Sequence, residues 1–208
     1  NQDDMPLLLK GRESVNHYLL LLITSNRGLC GALNSIITKK LKNDIKDLLS
    51  KDKKVSIVCI GNKGYDQLVS SYKNLIVKKF NLNSNNIRYR EAVEIKEYLV
   101  GLFNDGKIDL CNVYFNSFKN SLVQIPTCRQ LLPYMDMRTI SNIDTSNIIY
   151  EPNNQELLER ILDVGISTSL YNILIDSATS EHAARMSAMD NATKNADKVI
   201  SELTLTLN

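Results

Sequence analysis

Short apolar runs alternate with helical apolar spacings along the first two thirds of the chain. The run from Tyr18 to Thr24 shows no helical spacing and ends at the turn-forming residues 25–28, which is typical of a strand buried on both faces. Between Leu33 and Leu49 the apolar residues recur every three or four positions, which predicts an amphipathic helix. The pattern then predicts, in chain order, a strand at 55–60, a turn at 61–64, a helix at 65–72, a strand at 75–80, a polar loop at 81–86, a helix at about 91–104, and strands at 110–118 and 122–132.

This alternation predicts an α/β fold with a small, mostly parallel, Rossmann-like sheet and right-handed crossovers. Pro126 lies inside the last predicted strand, and because proline has no backbone N–H to donate, we expect that strand at an edge of the sheet. The polar residues 141–147 indicate a linker. We therefore divide the chain into an α/β domain at residues 1–148 and a long C-terminal helix at residues 149–208.

The C-terminal segment has the composition of one long helix. From about Asn153 to Asn208 it contains no proline and one glycine, Gly165. Such a helix would be roughly 80 Å long at 1.5 Å per residue, which exceeds the roughly 30 Å width of a small domain. Its first half is broadly apolar and is expected to lie on the sheet, so its second half must project.

The apolar residues of the second half form a narrow seam with spacings of three and four, the heptad pattern of a coiled coil. Glu181 and Arg185, like Asp190 and Lys194, are four apart and are expected to pair on the solvated flanks of this seam. No other predicted helix is long enough to pair with it, so the partner helix belongs to another chain or to a segment before Asn1. The seam consists of Met189, Ala192, Ala196, Val199 and Leu203.

Composition and charge exclude several classes of function. The net charge is only +2, without a basic cluster beyond short lysine pairs, so nucleic acid is not an expected partner. The longest apolar stretch, from Leu19 to Ile23, is far shorter than the roughly 20 residues that span a bilayer. Any membrane association is therefore expected to go through a partner. The four cysteines have neither zinc-site nor disulfide-scaffold spacing, which favours a reducing compartment.

The candidate chemical sites are weak. The turn from Ser25 to Ala32 lies where a phosphate-binding loop would lie, but it lacks the third glycine of a dinucleotide fingerprint and the Gly-Lys-Ser/Thr ending of a P-loop. Cys30 could be activated at a helix start, yet neither His17 nor His182 has the spacing of a catalytic partner. We expect tight turns here and at Gly61–Gly64, and no catalytic residue, cofactor or metal ion.

Three segments of the chain resemble one family. Residues 177–208 resemble the C-terminal helix of the γ subunit of F-type ATP synthases. Asn26 and Ala32 replace the aspartate and glycine that the family often has in a turn of pattern TSxRGLCGxxN. That pattern is matched by Thr24, Ser25, Arg27, Gly28, Leu29, Cys30, Gly31 and Asn34, and the family's YEP junction by Tyr150, Glu151 and Pro152.

The resemblance implies a rotor subunit of the central stalk. Its α/β domain would lie beside the membrane c-ring and the ε-type subunit, and its stalk would enter the hexamer of α and β subunits. Rotation would couple proton flow to ATP synthesis or hydrolysis. The long helix would pair with the subunit's own N-terminal helix in an antiparallel coiled coil. The resemblance implies that the family's N-terminal helix would precede Asn1 and that its C-terminal tip would follow Asn208.

The resemblance also implies roles for individual residues. Tyr150 and Glu151 match the foot region near the c-ring and the ε-type subunit. Arg185 matches a shaft arginine, which could either pair with Glu181 or contact a β subunit. The seam residues would face the partner helix.

Two other classes of function remain open on the sequence. One is a nucleotide-binding α/β enzyme whose long helix is a dimerisation arm, and the other is a coiled-coil adaptor that forms homodimers. For the rotor subunit, the abundance of asparagine, lysine and isoleucine favours the cytoplasmic face of a bacterial inner membrane over the matrix side of a mitochondrial one.

Overall fold

The computed structural model describes residues 6–134 and 154–207. Five strands and five α-helices occupy these residues, and a short 3₁₀ turn at Lys73–Leu75 follows the third helix. The elements are α1 (Leu7–Lys10), β1 (His17–Ile23), α2 (Leu33–Ser50), β2 (Lys54–Ile60), α3 (Asn62–Tyr72), β3 (Ile76–Phe80), α4 (Tyr89–Asn104), β4 (Leu110–Phe118), β5 (Gln124–Leu132) and α5 (Asn154–Leu207).

The strands form one sheet in the order β3-β2-β1-β4-β5. The central strand β1 pairs in parallel with β2 and β4, and β2 pairs in parallel with β3. Only β5 is antiparallel, and it forms an edge, as Pro126 predicted. The leucines of β1 from Leu19 to Leu22 are fully buried, which explains the unbroken apolar run. The small, mostly parallel sheet is confirmed.

Helices cover both faces of the sheet. One face packs against α2 and α3, through residues such as Leu20, Ile37 and Leu68. The other face packs against α4 and α5, with the leucines of α1 at its margin. Burying a leucine or isoleucine side chain stabilises a fold by about 2 kcal/mol, so the apolar face of α5 fixes this helix firmly to the domain. Its buried apolar residues on the sheet are Leu162, Ile166, Leu170, Ile173 and Leu174.

Helix α5 has 54 residues and, at 1.5 Å per residue, is about 80 Å long. Buried side chains recur along the helix up to Glu181. Every described side chain from Met189 onward is exposed. The helix therefore lies on the sheet with its first half and projects with its second half, as expected. Among the described residues, no helix is both long and apolar enough to cross a bilayer.

Two features of the fold differ from the sequence predictions. Helix α3 begins at Asn62, inside the predicted turn 61–64, because the backbone reverses at Gly61 alone, with φ of 90°. Helix α1 was not predicted, since four residues are too few to show a helical period. The proposed linker at 141–147 and the domain boundary near residue 148 lie outside the described residues.

Candidate functional site

The parallel strands β1, β2 and β4 all end at one edge of the sheet, which we call the carboxyl edge. Helix α5 crosses this edge, since Asp176 bonds to the end of β4 and Glu181 lies beside Thr24 and Gly61. Open α/β sheets usually bind their ligands at this edge. It is therefore the place to test for a nucleotide site.

The N-terminus of α3 offers no free anion site. Free amide groups at a helix start attract phosphate, but the first three N–H groups of α3 already bond to the residues that follow β1. The acceptor atoms lie on two side chains and one main-chain carbonyl. The bonds run from Asn62 to Asn26 Oδ1 (3.2 Å), from Lys63 to the Ser25 carbonyl (3.1 Å) and from Gly64 to Thr24 Oγ1 (2.8 Å).

The glycines at this edge allow close packing. A Cβ atom added at Gly61 would lie 2.0 Å from the Thr24 carbonyl oxygen, and one at Gly64 would lie 2.7 Å from Leu22 Cδ2. The remaining cleft between the edge and α5 has room for about one water molecule. A nucleotide does not fit there, which counts against the nucleotide-binding enzyme.

We expect Thr24→Val to destabilise the domain by about 1–2 kcal/mol, because the Gly64 N–H loses its acceptor while the shape of the side chain is kept. Urea unfolding of the purified chain measures this change. Thr179→Val is the matched control, since Thr179 is exposed on α5 and its hydroxyl bonds only to the preceding turn of that helix. Equal urea concentrations at the unfolding midpoints of the two variants would contradict the capping role of Thr24.

The turn between β1 and α2 is held together by one side chain. Asn34 donates to Ser25 Oγ (2.7 Å) and to Cys30 Sγ (3.2 Å), and its Oδ1 accepts from the Ser25 N–H (3.0 Å). Cys30 is 2% exposed, so its thiol is not available as a nucleophile. Leu29, in contrast, has φ of 64° and is 73% exposed at the tip of the turn. The turn therefore has a rigid base and an exposed apolar tip.

The predicted seam lies on the exposed surface of α5. Met189 is 40% exposed and Leu203 is 58% exposed, with Ile200 also exposed beside them. The spacing of three and four also continues backward to Leu157, through exposed Val164 and Ile175. The full set, which we call the α5 stripe, is Leu157, Ile161, Val164, Thr168, Tyr171, Ile175, Ala178, His182, Arg185, Met189, Ala192, Ala196, Val199 and Leu203.

The α5 stripe is longer than the sequence seam because the first half of α5 is apolar on two faces. Leu162, Ile166 and Leu170 face the sheet, and Leu157 and Val164 face away from it. From sequence alone the two faces merge into one broad apolar pattern. The burial in the fold separates them. The stripe is exposed at Leu157, Val164 and Ile175 and from Met189 onward, whereas Tyr171 packs against Tyr89 and Ala178 is buried.

Arg185 pairs within its own helix. Its Nη2 lies 2.6 Å from Glu181 Oε1, and Ser84 Oγ donates to the same oxygen at 3.2 Å. Glu181 is 6% exposed, so the prediction that it lies on a solvated flank is wrong: the loop between β3 and α4 covers it. Asp190 and Lys194 pair at 2.7 Å and are exposed, as predicted.

The other candidate residues show no reactive arrangement. His17 Nε2 lies 2.8 Å from Ser56 Oγ, and burial lowers the pKa of its imidazole. Burial raises the pKa of the Cys59 thiol to about 12. Within residues 6–134 and 154–207, no group of three histidine, cysteine or acidic side chains could hold a metal ion. Tyr150 and Glu151 lie outside the described residues, so their contacts stay predictions.

The whole chain, residues 1–208, matches a family model described as ATP synthase. It is 34% identical over 209 residues to the ATP synthase gamma chain of Pelagibacter ubique, which covers all of this chain and 72% of that relative. It is 36% identical over 208 residues to the ATP synthase gamma chain of Azorhizobium caulinodans, which covers 99% of this chain and 71% of that relative.

Solved structures show the same fold. The central stalk and c-ring structure of the Tetrahymena thermophila mitochondrial ATP synthase contains a chain that is 25% identical with a TM-score of 0.71, over 92% of this chain and 84% of that one. A rotor chain of the Euglena gracilis mitochondrial ATP synthase, 19% identical, gives a TM-score of 0.67 over 99% of this chain and 76% of that one.

Proposed function

This chain belongs to the family of ATP synthase gamma chains, and from that premise we propose how its geometry serves the rotor of the central stalk. The rotor couples proton flow through the membrane ring to ATP synthesis or hydrolysis in the hexamer of α and β subunits. Its partners are those α and β subunits, the ε-type subunit and the c-ring. The observation that carries the proposal is α5, which is half embedded in a domain and half projecting with an exposed heptad stripe.

A rotor needs a stiff mechanical link. One charge that crosses 100 mV releases only about 2.3 kcal/mol, so the work of several protons must be summed before one ATP forms. In our proposal the α/β domain turns with the c-ring, and the projecting part of α5 carries this rotation into the hexamer. The buried half of α5 supports this role, because it attaches the shaft directly to the core of the domain.

We assign the α5 stripe to pairing with a second helix, supplied by the N-terminal segment of the same subunit. Two alanines, Ala192 and Ala196, allow close approach in the projecting part. Helix α1 lies beside the end of β5, where the Tyr134 N–H donates to the Leu8 carbonyl. A segment that descended along α5 to reach α1 would run antiparallel to α5. A homodimeric adaptor would use the same stripe and is the alternative.

We propose that the chain is a non-catalytic subunit. The closed carboxyl edge and the buried Cys30 support this assignment, since neither offers a substrate site. Association with the membrane would be peripheral, through the c-ring. The bacterial relatives favour the cytoplasmic face of an inner membrane, with the mitochondrial matrix side as the alternative.

Reconstitution tests the proposed function. The full-length version of this chain is mixed with α and β subunits, and the purified assembly is analysed for subunit ratio and ATP hydrolysis. We expect one copy of this chain per hexamer and an active complex, while the chain alone neither binds nor hydrolyses ATP. Tight ATP binding by the isolated chain, without assembly, would contradict the rotor and favour the nucleotide-binding enzyme. A stable homodimer that does not bind the α and β subunits would favour the homodimeric adaptor.

A further inference from the structure

Two acidic side chains attach α5 to the α/β domain at the point where the helix leaves it. Asp176 and Glu181 are five residues apart, so they lie about 7.5 Å apart along the axis and about 140° apart around it. They therefore reach different parts of the domain, on opposite sides of the helix. Beyond them, α5 has no buried side chain in the described residues.

Glu181 is tied to the loop between β3 and α4. Its carboxylate is almost fully buried, with 7% of the side chain exposed, and it accepts from Ser84 Oγ and from Arg185. His182 Nε2 lies 3.4 Å from the Ser84 carbonyl oxygen, which adds a second contact between the same loop and the next residue of the helix. A buried carboxylate is stable only while such partners remain, so this tie fixes one side of α5.

Asp176 is tied to the end of β4. Its Oδ2 accepts from Ser117 Oγ at 2.8 Å, and its Oδ1 accepts from the Phe118 N–H at 2.7 Å. Both donors belong to the end of β4 that extends past its pairing with β1 and pairs with the edge strand β5. The second tie thus fixes the other side of α5 to the carboxyl end of β4.

We propose that Asp176 and Glu181 form a torque clamp that stops α5 from rolling about its own axis when the domain turns. This inference rests on the proposed rotor function. The buried apolar face of α5 and the Lys96–Asp163 pair also hold the helix on the domain. The two ties add directional contacts at the exit point, because hydrogen bonds lose strength as soon as their geometry changes. Because the two ties lie about 140° apart, a roll in either direction stretches both of them. Asp176 and Glu181 are positioning residues for rotation.

The test compares Asp176→Ala/Glu181→Ala with the wild-type chain in the complete membrane complex, with the α, β and ε-type subunits and the c-ring. ATP hydrolysis and ATP-driven proton pumping are measured on the same vesicles. We expect at least a threefold fall in protons pumped per ATP, with hydrolysis within twofold of the wild type. Glu156→Ala is the matched control: Glu156 also pairs with an arginine four residues later on α5, at 3.0 Å, but it is exposed, so the ratio should not change.

The number of protons pumped per ATP distinguishes a torque clamp from a pair of residues that only stabilises the fold. A merely stabilising pair would lower the amount of complex, and both activities would fall together at a constant ratio, which would overturn the proposal. If the double alanine chain does not assemble, Ser84→Ala/Ser117→Ala removes one donor from each tie and leaves α5 unchanged. An unchanged ratio in that variant would also overturn the clamp. Failure of the wild-type chain to assemble would overturn the rotor function itself.

Discussion

Replacing Ala192 and Ala196 together by glutamate is expected to weaken pairing of α5 with its partner helix at least about 100-fold. Both alanines lie on the projecting part of the α5 stripe, where a small side chain allows two helices to approach closely. Two glutamates would either bury unpaired carboxylates or force the helices apart. A buried unpaired charge costs about 3–5 kcal/mol, and each 1.4 kcal/mol is a tenfold change in affinity.

The pairing is measured by sedimentation of the full-length chain and by the yield of complex with α and β subunits. Asn191→Glu/Asn195→Glu is the matched control, because it adds the same charges at the same spacing but about 100° further around the helix. We expect the control to keep its helix pair. Equal loss of pairing in both variants would contradict the assignment of the stripe and indicate a general effect of negative charge.

Gly61→Ala is expected to destabilise the α/β domain by about 3 kcal/mol or more. Gly61 has φ of 90° and ψ of 152°, a conformation that is essentially restricted to glycine. The added Cβ would also lie 2.0 Å from the Thr24 carbonyl oxygen, and a backbone atom cannot move aside as a side chain can. The end of β1 or the start of α3 would have to shift, and the bonds that cap α3 would break.

Urea unfolding of the full-length chain measures this loss. Gly101→Ala is the matched control, since Gly101 lies inside α4 and an added Cβ there meets no atom within 4 Å. Alanine is the better helix former, so the control should gain up to about 1 kcal/mol. We therefore expect Gly61→Ala to lower the free energy of unfolding and Gly101→Ala to raise it. A loss below 1 kcal/mol at Gly61 would show that the two segments separate more easily than their contacts indicate.

The sequence predicts elements well where their pattern is local. The apolar run of β1 and the three-and-four spacing of α2 place these elements to within one residue at each end. The start of α3 could not be placed in this way, because its first N–H groups bond to side chains and carbonyls of residues 24–26, more than thirty positions earlier. Local periodicity contains no information on such a cap.

Burial of charged residues was the least predictable property. Glu181, like exposed Asp190, has a basic residue four positions later, yet Glu181 is covered by the loop that carries Ser84. That loop lies 97 positions away in sequence. The spacing of four predicts the pair of Glu181 with Arg185, but it does not predict that the carboxylate of this pair is buried. Resemblance to a family supplied the function, and the fold supplied the contacts.

The packing of α5 on the sheet also fixes an order of events in folding. The central strand β1 can pair with β2 early, but its other neighbour, β4, begins more than ninety residues later. One face of the sheet is covered in part by α4 and completely only when Leu162, Ile166 and Leu170 arrive with α5. During synthesis part of this face therefore stays uncovered until nearly all of the described chain has left the ribosome. Such late, long-range contacts slow folding and leave apolar surface open to chaperones.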